Sequence, residues 1–315
     1  MTQSPASTPA PARVAVVGPT ASGKSAVALT VACELGDVDL VSIDSMQVYR
    51  GMDIGTAKPS PAERHRVRHH LLDLVDPHEE FTVAEFQIRY RAVIDEIGAA
   101  GRRAILVGGT GLYHRAAIDD LTIPGEWPEI RARLEREAGA LGAPALHARL
   151  SETDPTAAAR IEPANTRRVV RALEVCEGSG RPFSSFGPGL DSYPPTPVAQ
   201  IGLAWDRERL ATRIETRVLA MVDAGLLDEV RRVRAAGMSR TAAQALGYKE
   251  LIDHLEGRAT FDEAVGRIVL RTRQFAVRQE RWFRRDPRVR WVTIASDPVA
   301  EAAPAVRDAL ENATT

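Results

Sequence analysis

Residues 18–25, GPTASGKS, constrain the fold more than any other part of the chain. They follow an apolar run at 14–17 and precede a helix-like stretch that continues to residue 35. A G-x-x-x-x-G-K-[ST] sequence between a strand and a helix turns successive backbone N–H groups towards a phosphate, which the helix N-terminus also attracts. We therefore predict a phosphate-binding loop formed by Gly18, Pro19, Thr20, Ala21, Ser22, Gly23, Lys24 and Ser25, with Ser25 as a ligand of Mg²⁺.

Further apolar runs alternate with helix-like segments along the chain. Strands are predicted at 39–43, 104–107, 198–205 and 289–294, and helices at 62–72, 82–100, 207–236 and 261–285. This alternation predicts βαβ units and a parallel sheet. The expected fold class is therefore α/β, with a core like that of P-loop nucleoside triphosphatases.

One stretch interrupts this alternation. Residues 127–180 predict helices only, with N-caps at Ser151 and Asn165, and a segment rich in Ser, Gly and Pro follows. We therefore expect a helical insertion domain in the α/β core. The predicted parts are a disordered tail at 1–12, the core at 13–125 and 198–295, the insertion at 126–183, a linker at 184–197 and a C-terminal tail at 296–315.

Composition excludes several other classes of protein. The 315 residues are 44% hydrophobic and 26% charged, too apolar for a disordered chain. The chain shows neither a signal peptide nor an apolar run of about 18 residues, so no membrane association is expected. Cys33 and Cys176 are isolated, which favours a reducing cytoplasm.

Asp44 follows the second predicted strand, at the sheet edge where open α/β folds bind ligands. Two interpretations stay open on position alone: a carboxylate of the site, or a loop cap that accepts hydrogen bonds from nearby N–H groups. The strand at 104–107 ends in Gly108, Gly109 and Thr110, without the Asp that commonly helps to hold the metal of nucleoside triphosphatases. His65, His69 and His70 lack an acidic or cysteine partner nearby, which disfavours a metal site there.

The net charge of −1 does not indicate a nucleic-acid partner, but the charge is unevenly distributed. On a helical wheel, one face of 264–285 carries Arg267, Arg271, Gln274, Arg278, Arg281 and Arg285, opposite an apolar stripe. A smaller cluster contains Arg167, Arg168 and Arg171. Such a face is either a solvated charged surface or one that follows a phosphate backbone, and we favour the second.

Several longer motifs resemble one enzyme family. They are SIDSMQVYRGMDIGTAKP at 42–59, LVGGTGLY at 106–113, RRVVRALEV at 167–175, QALGYKE at 244–250 and TRQFAVRQERWF at 272–283. Together with GPTASGKS they resemble the tRNA dimethylallyltransferases, also called tRNA isopentenyltransferases. The matches run in order from residue 13 to about 294.

The resemblance implies transfer of a dimethylallyl group from dimethylallyl diphosphate to N6 of an adenine. That adenine lies 3′ of the anticodon in tRNAs that read codons beginning with U. The loop at 20–25 would hold the prenyl diphosphate rather than ATP, with Mg²⁺. Asp44 matches the proposed general base, and Thr110 and Arg217 match residues around the diphosphate and the reacting carbon.

The resemblance also implies contacts with the tRNA anticodon stem-loop, and a monomeric enzyme. The matching residues are Asp44, Ser45, Met46, Gln47, Arg131, Arg167, Arg168, Arg171, Gln244, Gly247, Tyr248, Lys249, Arg278, Gln279, Arg281, Trp282 and Arg284. Two other functions fit parts of the pattern. One is a small-molecule kinase with Arg131 and Arg133 on a lid, and the other is an RNA-binding module with a vestigial phosphate loop.

Overall fold

The computed structural model describes residues 11–313, in which six parallel strands form one sheet in the order β3-β2-β4-β1-β5-β6. The strands are β1 (Arg13–Val17), β2 (Val38–Ser42), β3 (His69–His70), β4 (Arg103–Val107), β5 (Ala199–Trp205) and β6 (Val289–Ile294). The predicted parallel α/β sheet is confirmed. The central strands are buried because helices cover a parallel sheet on both faces, which explains their continuous apolar runs.

Thirteen α-helices occur in this part of the chain. They are α1 (Lys24–Leu35), α2 (Pro61–Arg66), α3 (Val83–Ala99), α4 (Gly111–Ile118), α5 (Pro128–Leu141), α6 (Ala143–Thr153), α7 (Pro155–Ala158), α8 (Thr166–Ser179), α9 (Arg207–Asp223), α10 (Leu226–Ala236), α11 (Tyr248–Leu255), α12 (Phe261–Arg284) and α13 (Pro298–Asn312). None of them is both long and apolar enough to cross a membrane.

The chain divides into two compact units. The sheet and its helices form one, up to Asp119 and from Tyr193 onward, and Asp120–Ser192 form the other. The predicted insertion at 126–183 lies inside the second unit, which also takes in 120–125 and much of the predicted linker. Asp154 binds that linker, since its carboxylate accepts hydrogen bonds from the backbone N–H and the hydroxyl of Ser184, both at 2.7 Å. The second unit has its own core around Leu134, Leu150 and Val169.

Three local predictions were wrong, the first of them because of a tertiary contact. The helix predicted at 62–72 ends at Arg66, and 69–70 instead pair with β2, where His70 Nε2 lies 2.8 Å from the buried Asp39 carboxylate. Ser151 lies inside α6 and caps nothing, whereas the predicted Asn165 cap of α8 is confirmed. The helix predicted at 207–236 is broken at Gly225, which has a φ of 95°.

The C-terminal tail predicted at 296–315 is helical, as its residues suggest, and packs on the core. Most of it forms α13, which packs against α1 and β6 with Ala302, Val306 and Leu310 fully buried. At the other end, the tail predicted at 1–12 lies almost wholly outside the described residues, and Arg13 begins β1.

Candidate active site

The predicted phosphate loop joins β1 to α1. Gly18 and Gly23 have φ values of 134° and 94°, which side chains other than glycine rarely adopt. A Cβ at Gly23 would also lie 2.5 Å from Cγ of Pro298, the first residue of α13. The backbone therefore adopts the curled path that the motif predicts, and α13 fixes its position.

Lys24 begins α1 and is almost completely buried, with Nζ donating to the Pro19 carbonyl at 2.6 Å. Burial, reinforced by the nearby positive charge of Arg217, lowers the pKa of Lys24 to about 7, although Asp44 opposes the shift. A cationic group held in a site with so little water is stabilised by any anion that enters. Lys24 is therefore suited to hold a phosphate.

Helix α9 adds two arginines to this loop. Nη1 of Arg217 donates to the Thr20 hydroxyl at 3.3 Å, and Nε of Arg213 donates to the Ala21 carbonyl at 3.1 Å. The Arg213 guanidinium lies 4.4 Å from the ring centroid of Trp205, whose indole N–H donates to the Ser22 carbonyl at 2.9 Å. Arg217 was predicted for the site. Arg213 was not, although its spacing of four residues from Arg217 places both on one helix face.

Asp44 lies directly after β2, as predicted. Its Oδ1 accepts a hydrogen bond from the Met46 N–H at 2.9 Å, so it caps the loop. It also lines a cavity with Lys24 and Arg217, so its position is compatible with both interpretations left open by the sequence. Burial raises the pKa of Asp44, while the Met46 and Gln47 N–H groups and the charges of Lys24 and Arg217 act in the opposite direction.

The cavity has a volume of about 650 Å³, within the range of small-ligand sites. The phosphate loop, Asp44, Gln47 and the two α9 arginines all line it. Thr110 is not among the described residues on its wall. Its hydroxyl instead accepts from the Ser45 N–H at 3.1 Å and donates to Ser45 Oγ at 3.3 Å, so it contacts the segment that carries Asp44.

Gln279 of α12, which the resemblance places among the tRNA contacts, is largely buried and lines the cavity. It is 6% exposed; its Oε1 accepts from the Thr20 N–H at 2.8 Å and its Nε2 donates to the Gly109 carbonyl at 2.9 Å. A Cβ at Gly109 would lie 2.1 Å from this amide, so the close approach requires glycine. Gln279 therefore ties α12 to the phosphate loop.

The predicted residues of the 244–249 segment divide between surface and interior. Gln244 is exposed, and its Oε1 accepts a hydrogen bond from Nζ of the half-buried Lys249 at 2.9 Å. Gly247 is buried with a φ of 90°. Tyr248 is fully buried, and its hydroxyl donates to the Glu229 carboxylate at 2.5 Å.

The other face of α12 is basic and exposed, as the wheel predicted. Arg278 and Arg281 lie on it without a carboxylate partner among residues 11–313. Arg271 pairs with buried Glu250 at 2.7 Å, and Arg284 pairs with Glu280 at 3.2 Å. Trp282 is half-buried against Gly111. Arg267 on the same face is also exposed and forms no ion pair with the described residues, so the unpaired positive charge lies at Arg267, Arg278 and Arg281.

Within the helical insertion, the predicted arginines also differ in accessibility. Arg131 and Arg171 both bind the buried Glu174 carboxylate, at 2.9 and 3.0 Å. Arg133 binds Glu137 at 2.7 Å and also Glu177. Arg167 and Arg168 are exposed at the start of α8. The arginine pair expected of a kinase lid, Arg131 and Arg133, is thus engaged by carboxylates of the insertion itself.

Comparison with known proteins places the chain in a family. The family model described as IPP transferase matches residues 47–286. A tRNA dimethylallyltransferase of Kineococcus radiotolerans is 52% identical over 297 residues, which cover 91% of this chain and 92% of the relative. One of Streptomyces coelicolor is 53% identical over 287 residues, 90% of this chain and 91% of the relative.

Solved structures agree with these matches. The structure of a tRNA isopentenylpyrophosphate transferase from Bacillus halodurans is 39% identical in sequence, with a TM-score of 0.69 over 96% of this chain and 97% of that one. A eukaryotic dimethylallyltransferase acting on tRNA has a TM-score of 0.76 at 24% identity, over 93% of this chain and 77% of that one, and shares the fold. On this similarity along nearly its whole length, the chain belongs to the tRNA dimethylallyltransferase, or IPP transferase, family.

Proposed function

We propose that this chain transfers the dimethylallyl group of dimethylallyl diphosphate to N6 of the adenine immediately 3′ of the anticodon, releasing diphosphate. The acceptors are tRNAs that read codons beginning with U. One observation carries the proposal: a single cavity of about 650 Å³ contains both a cationic phosphate loop and a buried carboxylate. The loop can therefore stabilise the leaving diphosphate while the carboxylate removes a proton from the adenine bound in the same cavity.

The chemistry requires both functions. The exocyclic amine of adenine is a weak nucleophile because its lone pair is delocalised into the ring. The allylic carbon compensates because it supports positive charge, so departure of diphosphate can precede full N–C bond formation. Negative charge then accumulates on the leaving diphosphate, and preorganised cationic donors stabilise it most effectively in a site that excludes water.

Lys24, Arg217 and the backbone N–H groups of the phosphate loop are suited to this stabilisation. Arg213 adds a further guanidinium to the same wall. Asp44 is suited to accept the N6 proton, since burial raises its pKa above the ordinary value for aspartate and makes it a stronger base. Its contact with the Met46 N–H holds the carboxylate in one orientation.

Ser25 fits the binding of Mg²⁺ together with the diphosphate. Its hydroxyl is exposed, lines the cavity, and forms no hydrogen bond with the described residues. Those residues contain no cluster of three His, Cys, Asp or Glu side chains able to hold a metal, so substrate oxygens and water would complete the coordination. When bound, the ion supplies positive charge that stabilises the leaving diphosphate.

The acceptor adenine must leave its stack to reach the cavity, so the protein also has to hold the RNA backbone. We assign this role to Arg278 and Arg281, with Arg167, Arg168 and Lys249 as further contacts. Gln279 and Tyr248 support the site from the interior instead. We also propose that the protein acts as a monomer in the cytoplasm, in keeping with its two free cysteines.

Charge reversal at both Arg278 and Arg281 tests the RNA surface. The double glutamate variant is expected to bind unmodified tRNA at least about tenfold more weakly at low salt and to lower the slope of log K against log salt by about 2. Filter binding at several salt concentrations measures both. A control with the same charge change reverses Arg231 and Arg307, exposed arginines of α10 and α13. Equal binding by the two variants would contradict the assignment.

The affinity for the donor should depend on pH through Lys24. Its pKa of about 7 leaves Lys24 neutral in the free protein at higher pH, whereas the bound diphosphate favours the ammonium form. Binding then takes up a proton, so affinity is constant below pH 7 and falls by up to about tenfold per pH unit above it. Titration calorimetry from pH 6 to 9 measures the trend. Lys24→Arg stays charged over this range, so the fall in donor affinity above pH 7 should be absent from this variant. The same fall in Lys24→Arg would exclude Lys24 as its cause.

One incubation tests the proposed function. Purified protein, Mg²⁺, dimethylallyl diphosphate and unmodified tRNA should yield a prenylated adenosine, identified by nucleoside mass spectrometry. A parallel reaction with ATP tests the kinase alternative, which predicts ADP and no prenylated product. Binding of tRNA without any product would favour the RNA-binding module.

A further inference from the structure

Glu229 of α10 is a buried carboxylate, 2% exposed, that accepts four hydrogen bonds. Three come from consecutive backbone N–H groups, those of Asp53 at 3.0 Å, Ile54 at 2.8 Å and Gly55 at 3.0 Å. The fourth comes from the Tyr248 hydroxyl at 2.5 Å. Since a buried charge is costly unless it is fully hydrogen-bonded, this arrangement holds one backbone segment in one conformation.

The segment is a tight loop, 53–58, inside the longest of the motifs singled out in the sequence. A Cβ at Gly55 would lie 2.5 Å from the Tyr248 ring, so the loop is seated directly on that side chain. At its far end the Lys58 side chain is 1% exposed, and Nζ donates to the Tyr49 carbonyl and to the carboxylates of Asp53 and Asp73. Glu229 and Lys58 thus fix the loop at both ends.

This loop in turn holds a residue of the active-site cavity. Nε2 of Gln47 donates to the carbonyls of Thr56 at 3.1 Å and Ala57 at 3.3 Å. Oε1 of Gln47 accepts from the Ser42 hydroxyl at 2.8 Å. Gln47 lines the same cavity as Asp44, and Asp44 precedes it by three residues in the chain. A shift of the loop would therefore be transmitted to the cavity wall around the carboxylate.

We propose that Glu229, seated against Tyr248, is a positioning residue for prenyl transfer. It acts through the 53–58 loop on Gln47, and so sets the wall near Asp44 where the acceptor adenine must be oriented. The inference rests on the proposed transferase activity and adds to it a residue outside the cavity. Because the phosphate loop is held by other contacts, Glu229 affects the acceptor side of the reaction and leaves donor binding unchanged.

Steady-state kinetics of Glu229→Gln and Tyr248→Phe test this role. Glu229→Gln places an amide NH₂ against a backbone N–H, and we expect kcat to fall about 10- to 100-fold, since small misplacements of reacting groups have effects of this size. The KM for dimethylallyl diphosphate should stay within about twofold. Tyr248→Phe removes only one of the four hydrogen bonds and should show a smaller fall in kcat with the same unchanged KM.

Asp154→Asn is the matched control. Asp154 is also 2% exposed and also accepts several hydrogen bonds, from the Ala157 N–H and from both donors of Ser184, but it lies in the helical insertion. Thermal melting of Asp154→Asn and Glu229→Gln measures how much each loss of a buried carboxylate lowers the melting temperature. Glu229→Gln should lower kcat far more than Asp154→Asn at a comparable loss of melting temperature. Equal kcat values for the two variants would overturn the proposal.

A double-mutant cycle with Gln47→Ala tests the route. If Glu229 acts through Gln47, the double variant should have about the same kcat as Gln47→Ala alone, since effects along one chain of contacts are not additive. Fully additive losses would overturn the route through Gln47. An unaltered protein that forms no prenylated product would instead overturn the proposed function itself, so the two failures are distinguishable.

Discussion

Replacing Asp44 with alanine is expected to lower kcat for prenyl transfer by about 10²–10⁴-fold, the usual contribution of a positioned proton acceptor. The reason is that Asp44 is a cavity carboxylate whose pKa is raised by burial. The other carboxylate on the described wall, Glu63, is engaged by Ser60 in the N-cap of α2. Affinity for tRNA should change little, because the exposed basic face of α12 is untouched. Single-turnover rates and filter binding measure the two quantities separately.

Asp44→Asn sharpens this test. The asparagine oxygen can still accept the hydrogen bond from the Met46 N–H, so the loop keeps its cap, but the amide cannot accept a proton. We expect kcat of the unaltered protein to rise with pH as Asp44 ionises, and Asp44→Asn to lack this dependence. A loss confined to tRNA affinity in both variants would contradict the general-base role.

Lys24→Ala should have the second large effect, now on the donor. Lys24 lies in the phosphate loop with Arg217 nearby, where negative charge accumulates as diphosphate departs. Removal of such a preorganised charge is expected to lower kcat/KM for dimethylallyl diphosphate by about 10²–10³-fold. Initial rates at varied donor and saturating tRNA measure it.

The effect of Lys24→Ala has to be separated from simple loosening of the loop. Lys24→Arg retains the charge and should recover part of the lost activity, and both variants should bind tRNA as the unaltered protein does. A variant that lost tRNA affinity while keeping its kinetics with the donor would show that Lys24 does not act on the diphosphate.

The parts of the site that could be predicted from sequence are those made locally. The phosphate loop needs only β1, two glycines and the start of α1, and Asp44 needs only the end of a strand. Gln279 could not be placed in the same way. Its hydrogen-bond partners are backbone groups of Thr20 and Gly109, more than 100 residues distant in sequence. Because every residue carries the same backbone groups, the sequence does not indicate which of them a side chain will contact.

Tertiary pairing also overrode local preference in the fold. Residues 69–70 belong to a stretch whose sequence predicts a helix, yet they pair with the open edge of β2 as a strand. The sequence predicts a helical tail where α13 lies, but its role was not assigned, although a buried face could have been predicted. Ala302, Val306 and Leu310 recur every four residues, the spacing of a buried helix face, and this face packs on the core while Pro298 abuts Gly23 of the phosphate loop.

In the proposed reaction, one cavity brings the prenyl diphosphate and the adenine together. The decisive measurement is mass spectrometry of the nuclease fragments and nucleosides of an unmodified anticodon stem-loop that has been incubated with the protein, Mg²⁺ and dimethylallyl diphosphate. The same measurement is made with Asp44→Ala. We expect the unaltered protein to form one prenylated adenosine, located immediately 3′ of the anticodon, and Asp44→Ala to form almost none. An unmodified stem-loop, or equal product from both proteins, would contradict the proposed reaction.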